Sequence, residues 1–201
     1  MNRTTDDAGD SGTVLIVCTG NVCRSPLMER LLVASLAGGS GALRPERRVR
    51  VHSAGTEAQV GEPMTGQAAG ELVRLGGDPA RFVSRQLTTD MVASADLVVT
   101  ATRAHRAAVV TLLPRATRYT FTAVELARLL GSVDLSSLRG GARARVLDLA
   151  VAAASYRGFT PPVAPGADDV LDPYGRPSAD YRRASDQMAP AIAALAAAIA
   201  G

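Results

Sequence analysis

Val14-Leu15-Ile16-Val17-Cys18-Thr19-Gly20-Asn21-Val22-Cys23-Arg24-Ser25-Pro26 is the stretch on which the reading of this chain turns. Its first four residues form an unbroken β-favouring apolar run, the pattern of a strand buried on both faces. A glycine-containing loop follows at once. Pro26 then stands in the first turn of a helix whose apolar residues, Leu27, Met28, Leu31, Leu32 and Leu36, recur at helical spacing until Gly38-Gly39. In a loop between a buried strand and a helix, successive main-chain N–H groups can curl around a tetrahedral oxyanion, and the helix N-terminus adds partial positive charge.

Outward from that stretch the pattern repeats. Residues 49–52 read as a second strand, 63–75 as a helix closed by Gly76-Gly77, and 96–100 as a third strand. A helix over 102–113 stops at Pro114, and 119–122 form a fourth strand. Strands alternating with helices predict a parallel sheet covered on both faces, with ligands bound at the carboxyl ends of the strands. Cys18 lies at such an end. Thr122 and Glu125 make a capping-box pattern for a helix running to Leu130. Residues 131–164 combine a Ser/Gly/Arg-rich connection, a helix near 143–156 and a turn-rich run ending in Pro165-Gly166. A helix packed on the outside is the plainer reading of this insertion, and a cover over the cleft is the alternative. An amphipathic helix over 179–200 closes the chain. The expected organisation is a polar, disordered tail over 1–12 and a single domain over 13–201 that carries the insertion 131–164.

Composition narrows the partners. The 201 residues carry a net charge of +3, and every basic residue is Arg. No basic run with interleaved aromatics marks a nucleic-acid surface. Residues 189–200 are the nearest approach to a membrane span and are too short, with Pro190 at their start. The N-terminal residues lack the apolar core of a signal peptide. Two cysteines within one loop make neither a secreted disulfide framework nor a zinc site, so a reducing cytoplasm is expected and no metal or cofactor. Oligomeric state is not legible.

The loop residues suit one chemistry. The field that holds an oxyanion also favours the thiolate of Cys18, and Ser25 is placed to donate a hydrogen bond to it. Arg24 supplies a planar fork that matches two phosphate oxygens. Gly20 and Asn21 tolerate left-handed backbone. Near the C-terminus, Asp172-Pro173-Tyr174 offers either a carboxylic acid to protonate a leaving oxygen or an Asx-type turn. Asp168 and Asp169 are the substitute acids. Cys23 reads either as a second thiol that protects Cys18 from over-oxidation or as a small buried packing residue.

On these residues the chain resembles the low-molecular-weight protein tyrosine phosphatase family, whose signature Cys-x-Gly-Asn-x-Cys-Arg-Ser-Pro is met at every fixed position by residues 18–26. The resemblance continues through Ser53-Ala54-Gly55-Thr56, Ser84-Arg85-Gln86-Leu87, Asp96-Leu97-Val98-Val99 and Asp172-Pro173-Tyr174. It implies a three-layer α/β sandwich with a four-stranded parallel sheet. It also implies a phosphocysteine intermediate on Cys18, phosphate binding by Arg24 and general acid catalysis by Asp172. Thr19, Gly20, Asn21, Val22, Cys23, Arg24 and Ser25 become the phosphate-binding loop, with Ser25 and Ser53 bracing it. Gln59 and Tyr174 fall where family members build the substrate rim, although the second aromatic common after Asp-Pro is absent. The family's Met-Asp after the third strand is replaced by Ala101-Thr102, where Thr102 can cap the next helix. His52 and His105 read as surface or packing histidines. The expected substrate is phosphotyrosine in proteins or a small phosphomonoester. An arsenate reductase using an external thiol and a non-catalytic phosphate-binding module are the competing functions.

Overall fold

The computed structural model describes residues 11–38, 49–161 and 163–201. Of the polar tail, residues 1–10 lie outside the described residues, as does Gly39. Strands β1 (Gly12–Cys18), β2 (Val49–Gly55), β3 (Leu97–Thr100) and β4 (Thr120–Thr122) form one sheet in the order β2-β1-β3-β4. All neighbours are parallel, with Cys18 opposite Gly55 and Val17 opposite Thr100. The chain therefore winds from β1 to one side and returns through β3 on the other. That reversal opens a crevice at the carboxyl ends of β1 and β3, where ligands bind in open α/β sheets.

Among the described residues seven α-helices accompany the sheet: α1 (Arg24–Gly38), α2 (Gly66–Arg74), α3 (Thr89–Ser94), α4 (Arg103–Leu112), α5 (Ala123–Leu130), α6 (Ala142–Tyr156) and α7 (Ser178–Ala200). Alternation along the strands separates two cores. Val14, Ile16, Leu97, Val99 and Phe121 pack with α1, α5 and α7 through residues such as Leu27, Leu126 and Ile192. Leu15, Val17 and Val98 point the other way, against Val92 of α3 and Val109 of α4. Val14 to Val17 are wholly buried, as an apolar run without alternation predicts, and each such side chain contributes about 1.5–3 kcal/mol.

Local chemistry explains where the elements begin. Thr122 and Glu125 form the reciprocal capping box at the start of α5. Thr102 caps α4 by accepting from the His105 N–H. Helix α2 starts at Gly66 instead of residue 63, because Thr65 is its cap and the Thr65 N–H is tied to the Val22 carbonyl. The short α3 gives no periodic signal in the sequence, with Val92 its one buried residue, and Thr88 caps it. Pro190 does not interrupt α7, which runs through it.

Helix α6, from the 131–164 connection, packs at the end of the sheet opposite Cys18. A methyl group on Gly12 would meet Val146 and the Ala142 carbonyl of α6 at 2.9–3.0 Å, so β1 starts hard against this helix. Val146, Leu149 and Ala153 are wholly buried, and Arg143 pairs with Asp96 at 3.1 Å. Just after α6, Arg157 lies 3.9 Å over the Phe121 ring and donates to Glu125 at 2.8 Å. The insertion helix is a packed layer, not a cover over the cleft.

Candidate active site

Residues 18–25 leave the end of β1 and enter α1, and their main-chain polarity is sorted by the segment that follows β2. The carbonyls of Cys18, Thr19, Gly20 and Val22 accept from the N–H groups of Thr56, Glu57, Gln59 and Thr65 at 2.9–3.0 Å. Among the described residues, none of the N–H groups from Thr19 to Cys23 donates to a turn or loop acceptor. With four carbonyls taken by the segment after β2, the N–H groups of the loop are left for another acceptor, which is the polarity an oxyanion requires. Gly55 makes this possible: a β-carbon there would overlap the Thr19 carbonyl.

Asn21 holds the curve. It adopts φ 55°, in the left-handed region, and is wholly buried. Its Nδ2 donates to Ser25 Oγ and to Ser53 Oγ, each at 2.8 Å, and its Oδ1 accepts from the Arg85 N–H at 2.8 Å. Ser53 in turn donates to Glu29 Oε2 at 2.6 Å. Burial pushes the Glu29 carboxyl above its ordinary range, against the opposing effect of that hydrogen bond. A satisfied polar network of this kind rigidifies the loop it supports.

Cys18, 2% exposed, sits at the base with its Sγ 2.9 Å from Ser25 Oγ. The Arg24 guanidinium spans the mouth. Its Nη2 lies 2.8 Å from Asp172 Oδ2 and 3.3 Å from Thr19 Oγ1, its Nη1 is 3.5 Å from the Val170 carbonyl, and its buried Nε has no acceptor among the described residues. Above the loop is a cleft of about 160 Å³ with Glu57, Gln59, Asp172 and Tyr174 on its rim. Asp172 also closes an Asx turn, since its Oδ1 accepts from the Tyr174 N–H at 3.3 Å. One oxygen of Asp172 thus makes the turn, and the other rests on Arg24. The substitute acids are engaged elsewhere: Asp168 pairs with Arg128 at 3.3 Å, and Asp169 accepts from the Arg103 N–H at 2.7 Å.

A domain profile for the low molecular weight phosphotyrosine protein phosphatases matches residues 13–127. The chain belongs to this phosphatase family. It is 35% identical over 102 residues to the low molecular weight protein-tyrosine-phosphatase Etp of Escherichia coli K12, an alignment covering 51% of this chain. The chain spans about 62% of the length of that relative. It is also 34% identical over 170 residues to the low molecular weight protein-tyrosine phosphatase A of Mycobacterium bovis, covering 84% of this chain and 79% of the relative. Among solved structures, the YwlE arginine phosphatase of Geobacillus stearothermophilus is similar with a TM-score of 0.63 and 28% identity, over 92% of this chain and 91% of that one. The Erwinia amylovora tyrosine phosphatase AmsI shares the fold, with a TM-score of 0.62 at 23% identity over 92% and 90% of the two chains.

Two contacts around this phosphatase-family loop have partners that the sequence did not name. His105, only 7% exposed, contacts Thr19 Oγ1 through Nε2 and Thr102 Oγ1 through Nδ1, both at 2.8 Å. Burial and the nearby Arg24 charge bring its pKa down to about 4. The imidazole is thus neutral at pH 7 and links α4 to the loop. Its signal was a histidine three residues after a capping Thr. Cys23, for its part, turns its thiol away towards Thr65 Oγ1 at 3.3 Å and the Tyr181 hydroxyl at 3.9 Å, and burial pushes that thiol's pKa up. His52 is partly buried on β2 and its pKa is lowered by burial. Among the described residues, no three His, Cys, Asp or Glu side chains gather as a metal ion would need.

Proposed function

We propose that this chain hydrolyses phosphomonoesters, with phosphotyrosine in proteins as the favoured substrate, through a phosphocysteine on Cys18. The observation that supports the reading is the sorted polarity of residues 18–25, whose carbonyls are taken by the segment after β2 while Cys18, bonded to Ser25, shares one cleft with Arg24. Phosphate held there is attacked by Cys18 Sγ: the S–P bond forms, the ester P–O bond breaks, and Asp172 gives its proton to the departing oxygen. Water, deprotonated by the same Asp172, then attacks phosphorus. The S–P bond breaks and inorganic phosphate leaves. Ser25, 2.9 Å from Cys18, supports the sulfur as a thiolate in both steps. Arg24 and the N–H groups supply the electrostatic complement to the charge on the transferring phosphoryl group.

The exposed Tyr174 on the cleft rim supports an aryl substrate, because an aromatic wall can stack on a phenyl ring. A panel of phosphotyrosyl, phosphoseryl and phosphoarginyl peptides and small phosphomonoesters tests the assignment, the phosphoarginyl peptide because one similar structure is an arginine phosphatase. Phosphotyrosyl peptide is expected to give the highest kcat/KM, with an acid-stable mass increase on Cys18 after rapid quenching. Release of phosphate without that labelled cysteine rejects the mechanism. Thiol-dependent formation of arsenite from arsenate at a higher kcat/KM than any phosphate release rejects the substrate class.

A further inference from the structure

A second cavity, of about 250 Å³, opens at the carboxyl ends of β3 and β4, where α4 and α5 begin. Its wall carries four guanidiniums, those of Arg103, Arg106, Arg128 and Arg157, against the two carboxylates of Glu125 and Asp168. These four differ in how fully they are occupied. Arg157 donates to Glu125, to the Thr117 carbonyl and to the Thr120 carbonyl while it stacks on Phe121. Arg103 reaches the Ala164 carbonyl at 3.2 Å. Among the described residues Arg128 has only the longer contact to Asp168 at 3.3 Å, and its buried Nε has no acceptor. The Arg106 Nε is likewise buried without an acceptor among the described residues.

We infer that this cavity is a second anion site, built to take a phosphate group separately from the Cys18 loop. Buried charged donors left unsatisfied are unfavourable, and a tetrahedral oxyanion offers several acceptors to guanidiniums arriving from different helices. Charge balance favours the same ligand, because four positive groups face two negative ones. Burial and the neighbouring Arg157 charge lower the Arg106 pKa, and an anion between them offsets that repulsion. An uncharged or cationic ligand does not. The two sites are neighbours through shared elements: α4 carries Arg103 and Arg106 beside His105, which touches the Cys18 loop at Thr19. The segment that places Asp168 against Arg128 also places Asp172 against Arg24.

The inference does not depend on turnover, so its test is a titration. Inorganic phosphate followed by calorimetry is expected to fill two sites per chain in the wild type, one in Arg24→Ala, and one in Arg106→Gln/Arg128→Gln. Adding the latter pair to Arg24→Ala is expected to weaken the remaining site by about tenfold or more, the loss of charge-assisted bonds. Absence of phosphate binding in folded Arg24→Ala protein, or two unchanged sites in folded Arg106→Gln/Arg128→Gln protein, overturns the inference. If circular dichroism shows that the double variant does not fold, the exposed Arg103→Gln substitution on the same wall replaces it, and unchanged affinity there overturns the inference equally. The source of the phosphate is read with Cys18→Ser protein. A doubly phosphorylated peptide that binds about tenfold more tightly than its singly phosphorylated form, with that advantage removed by Arg106→Gln/Arg128→Gln, assigns the site to substrate. Equal binding of the two peptides assigns it to free phosphate.

Discussion

Asp172 Oδ2 lies 2.8 Å from Arg24 Nη2, so the carboxylate of the C-terminal loop rests on the same guanidinium that faces the Cys18 cleft. Asp172 is half exposed while Arg24 is buried, and the pair is therefore easily entered from solvent on one side only. An incoming phosphate must compete with this carboxylate for Arg24. Asp172→Asn is expected to tighten inhibition by inorganic phosphate by about tenfold, since a charge-assisted competitor is removed. The same change is expected to slow hydrolysis of alkyl and poor aryl leaving groups by about 10²–10⁴, with a smaller loss for p-nitrophenyl phosphate. An equal loss for all leaving groups assigns Asp172 to the Asx turn alone.

Cys18→Ser is expected to abolish turnover while vanadate affinity is largely kept, because the loop N–H groups and Arg24 remain. Arg24→Lys is expected to lose both, since one ammonium cannot reproduce contacts that reach Asp172, Thr19 and Val170 from a planar fork. Residual hydrolysis near wild-type level in the serine variant is the result that excludes the phosphocysteine route.

Gly55 has a role that its distance from Cys18 in sequence conceals. Gly55→Ala places a methyl group on the Thr19 carbonyl, and the loop must shift to escape it. Activity is expected to fall by about 10² or more, as displacements near 1 Å do at a reacting centre. A melting curve shows whether the fold persists, and unchanged kcat in a folded variant shows that Gly55 does not set the shape of the loop.

The buried His105 makes a pH signature. In the unfolded chain its imidazole takes up a proton near pH 6.5, and in the folded chain only near pH 4. Between these values the unfolded state binds more protons, so stability falls as pH falls through the window. The loss is about 2 kcal/mol after allowance for solvent screening. Denaturant titrations at pH 7 and pH 4.5 are expected to show a smaller acid loss in His105→Gln than in the wild type. Identical slopes for the two proteins rule out this source of acid sensitivity.

Cys23 tests whether the second loop thiol does more than pack. Peroxide oxidises the Cys18 sulfur to a sulfenic acid. Attack by Cys23 sulfur then forms a disulfide and releases water. Because burial raises the Cys23 pKa, its thiolate fraction and hence the rate of this step are expected to climb as pH rises from 7 to 9. Cys23→Ser is expected to remain active but to lose recovery by dithiothreitol after oxidation. Equal recovery of both proteins leaves Cys23 as a partner for Thr65 and Tyr181 only.

The run Val14 to Val17, the loop from Cys18 to Ser25 and the capping box at Thr122 and Glu125 were legible in the sequence because each is local. Burial on both faces, a curl of successive N–H groups and a cap three residues long are set by neighbours along the chain. The same locality made the parallel sheet readable from the alternation of strands and helices. Sequence spacing could not reveal contacts whose partners lie far apart. The clamp on the loop carbonyls joins residues 18–22 to 56–65, Asn21 Oδ1 accepts from the Arg85 N–H, and Thr19 meets His105 across 86 residues. The resemblance singled out Asp172, but where three carboxylates within five residues go is a tertiary matter: Asp172 reaches Arg24, Asp168 reaches Arg128 and Asp169 reaches the start of α4. Helix α6 likewise had a readable period but no readable address. Its burial against Gly12 exists only once β1 is in the sheet, because packing depends on surfaces that the chain assembles and not on the order in which it lists them.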